Sequence, residues 1–112
     1  MSHKDRNEEL RSELERIVDT LQKRVQPEKI VLFGSLASGR LNPQSDIDLL
    51  IIQQTRDSIF ERVKKLETLL KRRYAADLIV LTPQEVQSLL DSGNRYLKEI
   101  ISHGKVLYER TS

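Results

Sequence analysis

Apolar residues in the first quarter of the chain recur at intervals of three and four positions. The residues that follow this pattern are Leu10, Leu14, Ile17, Leu21 and Val25. Because an α-helix completes a turn about every 3.6 residues, these side chains fall on one stripe of a helix. Pro27 favours an end just before it, since proline pushes the preceding residue out of helical geometry. The pattern therefore predicts an amphipathic N-terminal helix.

Three short apolar runs are typical of buried strands, and they lie at 30–33, 47–52 and 78–81. Their length does not separate a strand from a short buried helix, but their β-branched content and the glycine after the first run favour strands. Residues 34–45 are expected to form a tight turn, roughly one turn of helix and an exposed loop. A last run at 105–108 is expected to add an edge strand.

The spacing of Ile59, Val63, Leu66 and Leu70 predicts the longest helix after the first. Further helices are expected after the third strand, because the segment 82–85 reads Thr-Pro-Gln-Glu and can form a capping box.

Gly93 is expected to end the helix that starts there, and Asn94 to begin another that runs to about residue 102. The order of elements predicts an α/β (α+β) fold with a mixed sheet of three to four strands flanked by helices. The chain of 112 residues fits a single domain, 1–112, with its core at about 28–110.

Composition narrows the classes of function. No apolar run approaches the roughly 20 residues of a membrane helix, the N-terminus is polar, and cysteine is absent, so we expect a cytoplasmic protein without thiolate chemistry. The 19 basic and 17 acidic residues nearly balance, which argues against a general attraction to nucleic acid. Aromatic residues make up 4%, too few for a surface that stacks single-stranded nucleic acid.

Two aspartates stand at the entrance of the second predicted strand. Asp46 and Asp48 are two residues apart, so strand geometry points both carboxylates to one face, about 6.6 Å apart along the backbone. Paired carboxylates suit one or two Mg²⁺ ions, which proteins bind together with substrate phosphates. Asp77 precedes the third strand in the same way. If the two strands are neighbours, Asp77 can approach the same metal or act as a general base.

Gly34 and Ser35 follow the first strand and suit the other part of such a substrate. A strand that ends at glycine and turns into a helix start presents backbone N–H groups that favour a triphosphate. Glycine also lets the backbone approach the phosphates closely, and the serine hydroxyl adds a donor. Each piece alone has an ordinary structural explanation as a turn or cap. Their combination is much more specific.

This combination resembles a known signature. The minimal nucleotidyltransferases of the polymerase-β-like nucleotidyltransferase superfamily have Gly-Ser-x-Ala-Arg-Gly, five residues, and Ser-Asp-x-Asp. Residues 34–39 read Gly-Ser-Leu-Ala-Ser-Gly, and after five residues Ser45 begins Ser-Asp-Ile-Asp. The similarity extends over about 28–110. Ser38 stands where the family usually has arginine, which would weaken activity if that arginine holds phosphate, and Arg40 is the nearest replacement.

The resemblance implies a Mg²⁺-dependent transfer of a nucleoside monophosphate, usually AMP from ATP, to an acceptor with release of pyrophosphate. It implies Asp46, Asp48 and Asp77 as catalytic and metal-binding residues, and Gly34 with Ser35 as nucleotide-binding residues. Many such proteins are antitoxins whose partner is a separately encoded helical protein of the HEPN type, and some add AMP to its tyrosine. The small size leaves one wall of the cleft open, so we expect a second copy or a partner to cover it.

Other interpretations stay open at this stage. The chain could be a catalytically silent antitoxin that neutralises its partner by binding. The basic residues of 64–65 and 71–73 are typical of a solvated helix face, with docking of RNA or an acidic partner as the alternative. His103, in a predicted turn, and His3, near the N-terminus, lack a second histidine at ligand spacing. The three tyrosines, Tyr74, Tyr96 and Tyr108, are predicted to be half-buried packing residues, with acceptance of AMP in self-modification as the alternative for any that is exposed.

Overall fold

The structure is a computed structural model that describes residues 6–38 and 47–111. Within these ranges the α-helices are α1 (Arg6–Thr20), α2 (Gly34–Ser38), α3 (Ile59–Leu70), α4 (Pro83–Asp91) and α5 (Arg95–His103). The strands in the same ranges are β1 (Lys29–Phe33), β2 (Ile47–Ile52), β3 (Ala76–Leu81) and β4 (Lys105–Glu109). Each predicted strand is present, and the short helix α2 is the helical turn that the sequence predicted after the first strand.

The sheet has the strand order β3-β2-β1-β4. Strand β1 is antiparallel to both β2 and β4, whereas β2 and β3 are parallel. The predicted mixed sheet of three to four strands is therefore confirmed, with four strands in the described residues. Strands β2 and β3 start side by side, because the Ile47 N–H donates to the carbonyl of Ala75 at 3.2 Å.

Helices cover both faces of this sheet. The strand residues that pack toward α1 and α3 are Ile30, Leu32, Ile47, Leu49, Ile51, Leu78 and Val80. Those that pack toward α4 and α5 are Val31, Phe33, Leu50, Ile52 and Leu81. This alternation is what strand geometry requires when both faces are buried. Among the described residues, no helix has the length and apolar character to cross a membrane.

The predicted N-terminal helix is confirmed, with Leu10, Ile17 and Leu21 at most 1% exposed. It continues into a π-helical turn, Leu21–Val25, that the periodicity did not predict. The turn closes at Gln26, which has a left-handed backbone and donates its N–H to the Leu21 carbonyl at 2.8 Å. The helical segment thus ends just before Pro27, as expected.

A buried carboxylate joins α1 to the loop that precedes β3. Glu13 is 4% exposed and lies on the apolar stripe of α1. Its oxygens accept two hydrogen bonds from the Arg16 guanidinium, both at 3.0 Å, and one from the Arg73 N–H at 2.7 Å. The hydrogen bond from Arg16 is the main reason why the pKa of Glu13 lies below its ordinary value. This contact fixes the chain three residues before β3 begins.

A second ion pair joins α3 to the end of β3 and the start of α4. The Arg62 side chain, from α3, is 7% exposed and donates to Glu85 at 2.7 and 3.0 Å and to the Val80 carbonyl at 3.0 Å. Glu85 also completes the predicted capping box with Thr82. Asn94 caps α5 as predicted and accepts from the Leu97 N–H at 2.9 Å.

Candidate active site

The turn from β1 into α2 has a backbone that favours glycine. Gly34 has a φ of +77°, in the left-handed region that side chains with a Cβ rarely adopt. It begins α2, so the N–H groups of the first helical turn point toward the end at which Gly34 lies. The sequence prediction of a tight turn at Gly34 is confirmed.

Gly34 also faces a carboxylate. A Cβ built on Gly34 would lie 2.2 Å from Asp48 Oδ2 and 3.0 Å from Asp48 Cγ, closer than such atoms normally approach. The Asp48 carboxylate therefore occupies the space that a side chain at position 34 would need. The reason is register, because Phe33, the residue before Gly34, is the cross-strand partner of Asp48. The glycine and the second aspartate of the motif thus form one local unit.

The two acids on neighbouring strands lie side by side. Asp48 on β2 is the register partner of Asp77 on the parallel strand β3. Adjacent strands are about 4.8 Å apart, and register partners of a parallel pair project to the same face. That face is the one covered by α4 and α5, since Leu50 and Leu81 on the same alternation pack there. Asp48 is half-buried and Asp77 is exposed at the edge strand. The neighbouring strands that would bring Asp77 near Asp48 are therefore present.

Asp46, the first carboxylate of the predicted pair, lies outside the described residues, as do Ser45 and Arg40. Its assignment as a metal ligand stays a prediction. In the part of the chain that is described, no group of three or more His, Cys, Asp or Glu side chains could hold a metal ion. Asp48 and Asp77 by themselves fit the usual protein share of a Mg²⁺ site, which is one or two carboxylates completed by water and substrate phosphate.

Ser35 is half-buried in the first turn of α2, beside the Gly34–Asp48 unit. Ser38, at the position where the resembled signature has arginine, donates its hydroxyl to the Ser35 carbonyl at 3.0 Å. The Ser38 hydroxyl is thus engaged within α2, and this uncharged side chain brings no positive charge to a phosphate. The structure therefore shows what replaces the arginine at position 38, and the effect of this replacement on activity stays a prediction.

Tyr96 differs from its prediction as a half-buried packing residue. It is 61% exposed, and its ring meets Phe33 edge to face with centroids 6.3 Å apart. Tyr74 and Tyr108 are half-buried, as predicted. His103, predicted to lie in a turn, is the last residue of α5, where its Nδ1 lies 2.6 Å from Glu99 Oε2. His3 lies outside the described residues.

The basic residues of 64–65 and 71–73 are partly engaged within the chain. Lys65 pairs with Asp57 at 2.7 Å, and Arg72 binds both carboxylate oxygens of Glu67 at 2.5 and 2.9 Å. These pairs leave fewer cations for an acidic partner, and they favour the solvated helix face over the docking surface.

Comparison with known proteins bears on the family and the fold of this chain. A sequence model of the family described as "Polymerase beta, Nucleotidyltransferase" matches residues 15–112. A comparison with curated proteins gives no significant match.

Several solved structures have a similar fold. A nucleotidyltransferase candidate from Sulfolobus solfataricus aligns with a TM-score of 0.63 at 20% identity, over 93% of this chain and 84% of its own. A protein described as a candidate minimal nucleotidyltransferase gives 0.54 at 22% identity, over 93% and 97%. A toxin–antitoxin complex with AMP-PNP gives 0.53 at 24% identity, over 87% of this chain and 73% of the matched one. The predicted fold is confirmed by these similarities.

Proposed function

This chain belongs to the polymerase β nucleotidyltransferase family, and we propose that it transfers a nucleoside monophosphate from a Mg²⁺-bound nucleoside triphosphate, with ATP as the donor, to a protein acceptor. The observation that carries the proposal is the contact of Gly34 with the Asp48 carboxylate, next to Asp77 on the adjacent strand. It supports a site that holds phosphate and metal together, with a second acid open to an incoming acceptor.

In the proposed reaction, an acceptor hydroxyl oxygen attacks the α-phosphorus, and the bond from that phosphorus to the oxygen bridging it to the β-phosphate breaks. Pyrophosphate leaves, and the hydroxyl proton passes to Asp77 or, through it, to solvent. A bound Mg²⁺ would stabilise the charge on the phosphates. Gly34 and Ser35 would hold the triphosphate on the side of Asp48 away from Asp77, which places the leaving group opposite the acceptor. Asp48, with Asp46 as its predicted companion, would hold the metal.

The proposed acceptor is a tyrosine of a separately encoded helical partner of the HEPN type, with this chain as the antitoxin. Two similarities support this role. One is the toxin–antitoxin complex that contains AMP-PNP, and another is a mutant of the MntA-HpeT toxin–antitoxin complex, with a TM-score of 0.53 at 25% identity. A further variant of that complex has glutamates in place of two aspartates two positions apart, the spacing of Asp46 and Asp48.

The test is transfer of label from ATP in the presence of Mg²⁺ and a lysate of the native host. We expect a labelled small protein when the α-phosphate of ATP carries the label, and none when the γ-phosphate carries it. Asp48→Asn should abolish labelling while the fold is retained. Asp91→Asn is the matched control, since Asp91 is an exposed aspartate at the end of α4 that accepts a hydrogen bond from Gln87 in its own helix.

Two results would contradict this assignment. Wild-type rates of transfer by Asp48→Asn would show that the metal site lies elsewhere. Labelling from the γ-phosphate instead of the α-phosphate would show phosphoryl transfer, which is a different reaction.

A catalytically silent antitoxin is the second candidate, and Ser38 is the observation that favours it. The side chain in the arginine position is uncharged and bonded to its own helix. This candidate predicts that the wild type binds no ATP and that Asp48→Asn neutralises the partner as well as the wild type does. Detectable Mg²⁺-dependent ATP binding by the wild type would count against it.

A further inference from the structure

A cavity of about 260 Å³ lies directly beside the Gly34–Asp48 unit. It is lined by Gly34 and Ser38 on one side and by α5 on the other, with Phe33 and Ile100 as apolar walls. Tyr96 stands at its border, 61% exposed, with one edge-to-face contact to Phe33. Most of the Tyr96 ring is thus open to a ligand, although aromatic rings usually bury most of their surface. A planar ring is the ligand that these walls fit.

The polar groups of the cavity indicate whether an aromatic ring or a phosphate is the ligand that fits it better. They include Glu99 and His103, whose carboxylate and imidazole lie 2.6 Å apart at the lining. A carboxylate repels phosphate, and the imidazole beside it already contacts that carboxylate. The same carboxylate accepts hydrogen bonds from the N–H groups of a heteroaromatic ring. Aromatic walls with an acceptor at the rim therefore match a nucleobase better than a polyphosphate.

The position of the cavity also fits a nucleobase. Phe33 is the register partner of Asp48, and such partners in antiparallel strands have Cα atoms about 4.5–5.5 Å apart. The cavity thus adjoins the acid that would hold the metal-bound phosphates, on the side away from Asp77 on β3. We propose that this cavity is the nucleobase subsite, in which the base stacks on Tyr96 and donates a hydrogen bond to Glu99. This inference rests on the proposed function, because it assigns the base of the same nucleotide.

The test separates the base from the phosphates by measuring two ligands with Mg²⁺ on the isolated chain. One is ATP with a methylene bridge between its α- and β-phosphates, which cannot undergo the transfer, and the other is inorganic tripolyphosphate. We expect Tyr96→Leu to weaken binding of the nucleotide about tenfold, within the range that aromatic–base stacking gives, and to leave tripolyphosphate binding unchanged. Ile101→Ala is the matched control, since Ile101 is 39% exposed on the same helix but does not line the cavity.

A second variant reads the contact directly. The chain has no tryptophan, so Tyr96→Trp introduces a single reporter at the cavity. Its fluorescence should be quenched by the nucleotide and not by tripolyphosphate. Equal effects of Tyr96→Leu on both ligands, or an effect on neither, would overturn the subsite while the proposed function stands. If the wild type binds neither ligand, the proposed function is overturned and the subsite falls with it.

Discussion

Replacement of Gly34 by alanine tests whether the glycine of the motif serves the Asp48 carboxylate or only the turn. In the structure, a Cβ at position 34 is unfavourable for two separate reasons. The first is the backbone, because φ is +77° and a residue with a Cβ is disfavoured there. The second is crowding, because the Cβ would lie 2.2 Å from Asp48 Oδ2.

The chain offers a control that has the first cost without the second. Gly93, after α4, has a φ of +80°, but a Cβ there would meet no atom within 4 Å. We therefore expect Gly93→Ala to lower the free energy of unfolding by about 1–2 kcal/mol, the cost of a left-handed backbone for a residue with a Cβ. Gly34→Ala should lower it by at least as much, since the same backbone cost applies.

The effect on transfer should differ far more between the two variants. A normal contact at Gly34→Ala requires the Asp48 carboxylate to move by about 1 Å, and a displacement of that size at a catalytic group can cost about 100-fold in rate. We expect Gly34→Ala to lose about two orders of magnitude in label transfer from α-labelled ATP, and Gly93→Ala to keep the wild-type rate. Urea unfolding and the transfer assay are run on the same preparations.

A double variant shows whether the crowding is the cause. Asp48→Ala removes the two nearest atoms and leaves only its Cβ, at 3.4 Å from the built Cβ of Gly34. In the Asp48→Ala background, Gly34→Ala should therefore destabilise no more than Gly93→Ala does, which is a measurable coupling in a double-mutant cycle. Full transfer by Gly34→Ala, or equal losses of transfer at Gly34 and Gly93, would refute the reasoning.

The remaining predictions concern the second acid and the buried carboxylate of α1. Asp77→Asn should slow single-turnover transfer while Mg²⁺-dependent ATP binding is retained, because the proposed role of Asp77 is to accept the proton of the acceptor hydroxyl; a loss of binding equal to that of Asp48→Asn would contradict this role. Stability should fall as the pH drops below about 4.5, the ordinary pKa of glutamate, because Arg16 holds the pKa of Glu13 below that value in the folded state. The folded protein must then bind a proton that the unfolded chain binds more readily, so urea unfolding from pH 7 to pH 3 should show the loss, and Glu13→Gln should reduce its slope; an unchanged slope would show that other carboxylates dominate.

The sequence predicted the elements of the fold because each has a local signal. The stripe of α1, the capping box of Thr82 and Glu85, and the Asn94 cap all depend on residues within about four positions of one another. The π-helical turn at Leu21–Val25 has no such signal, and the periodicity of α1 runs through it without a break.

The pairing of strands could not be predicted in the same way. The sequence required β2 and β3 to be neighbours for Asp77 to approach Asp48, but it did not show that they are, because the pairing depends on contacts between distant segments. The burial of Glu13 is a similar case. A carboxylate on an apolar stripe is unfavourable unless it is hydrogen-bonded, and one of its donors, the Arg73 N–H, lies sixty positions away in the sequence.

Within the candidate site, the motif predicted the residues but not their mutual support. Sequence spacing brought Gly34 and Asp48 together only as parts of a signature, whereas the register of β1 and β2 makes them a contact. The exposure of Tyr96 was missed because tyrosine is found both in cores and at surfaces, and its helix has a buried face one residue further on, at Leu97. Only the structure shows that this ring borders a cavity.

The two ends of the candidate site have different surroundings across the sheet. Phe33, Asp48 and Asp77 form one row over β1, β2 and β3, since each is the register partner of the next. At one end of the row the sheet is covered by α5 and the cavity, and at the other end it stops at the exposed Asp77 on an edge strand. With the nucleotide on the covered side, we expect an acceptor to approach over the β3 edge, at which Asp77 is exposed. Because an in-line displacement needs its acceptor and its leaving group on opposite sides, this asymmetry is the arrangement that the proposed transfer to a partner protein requires.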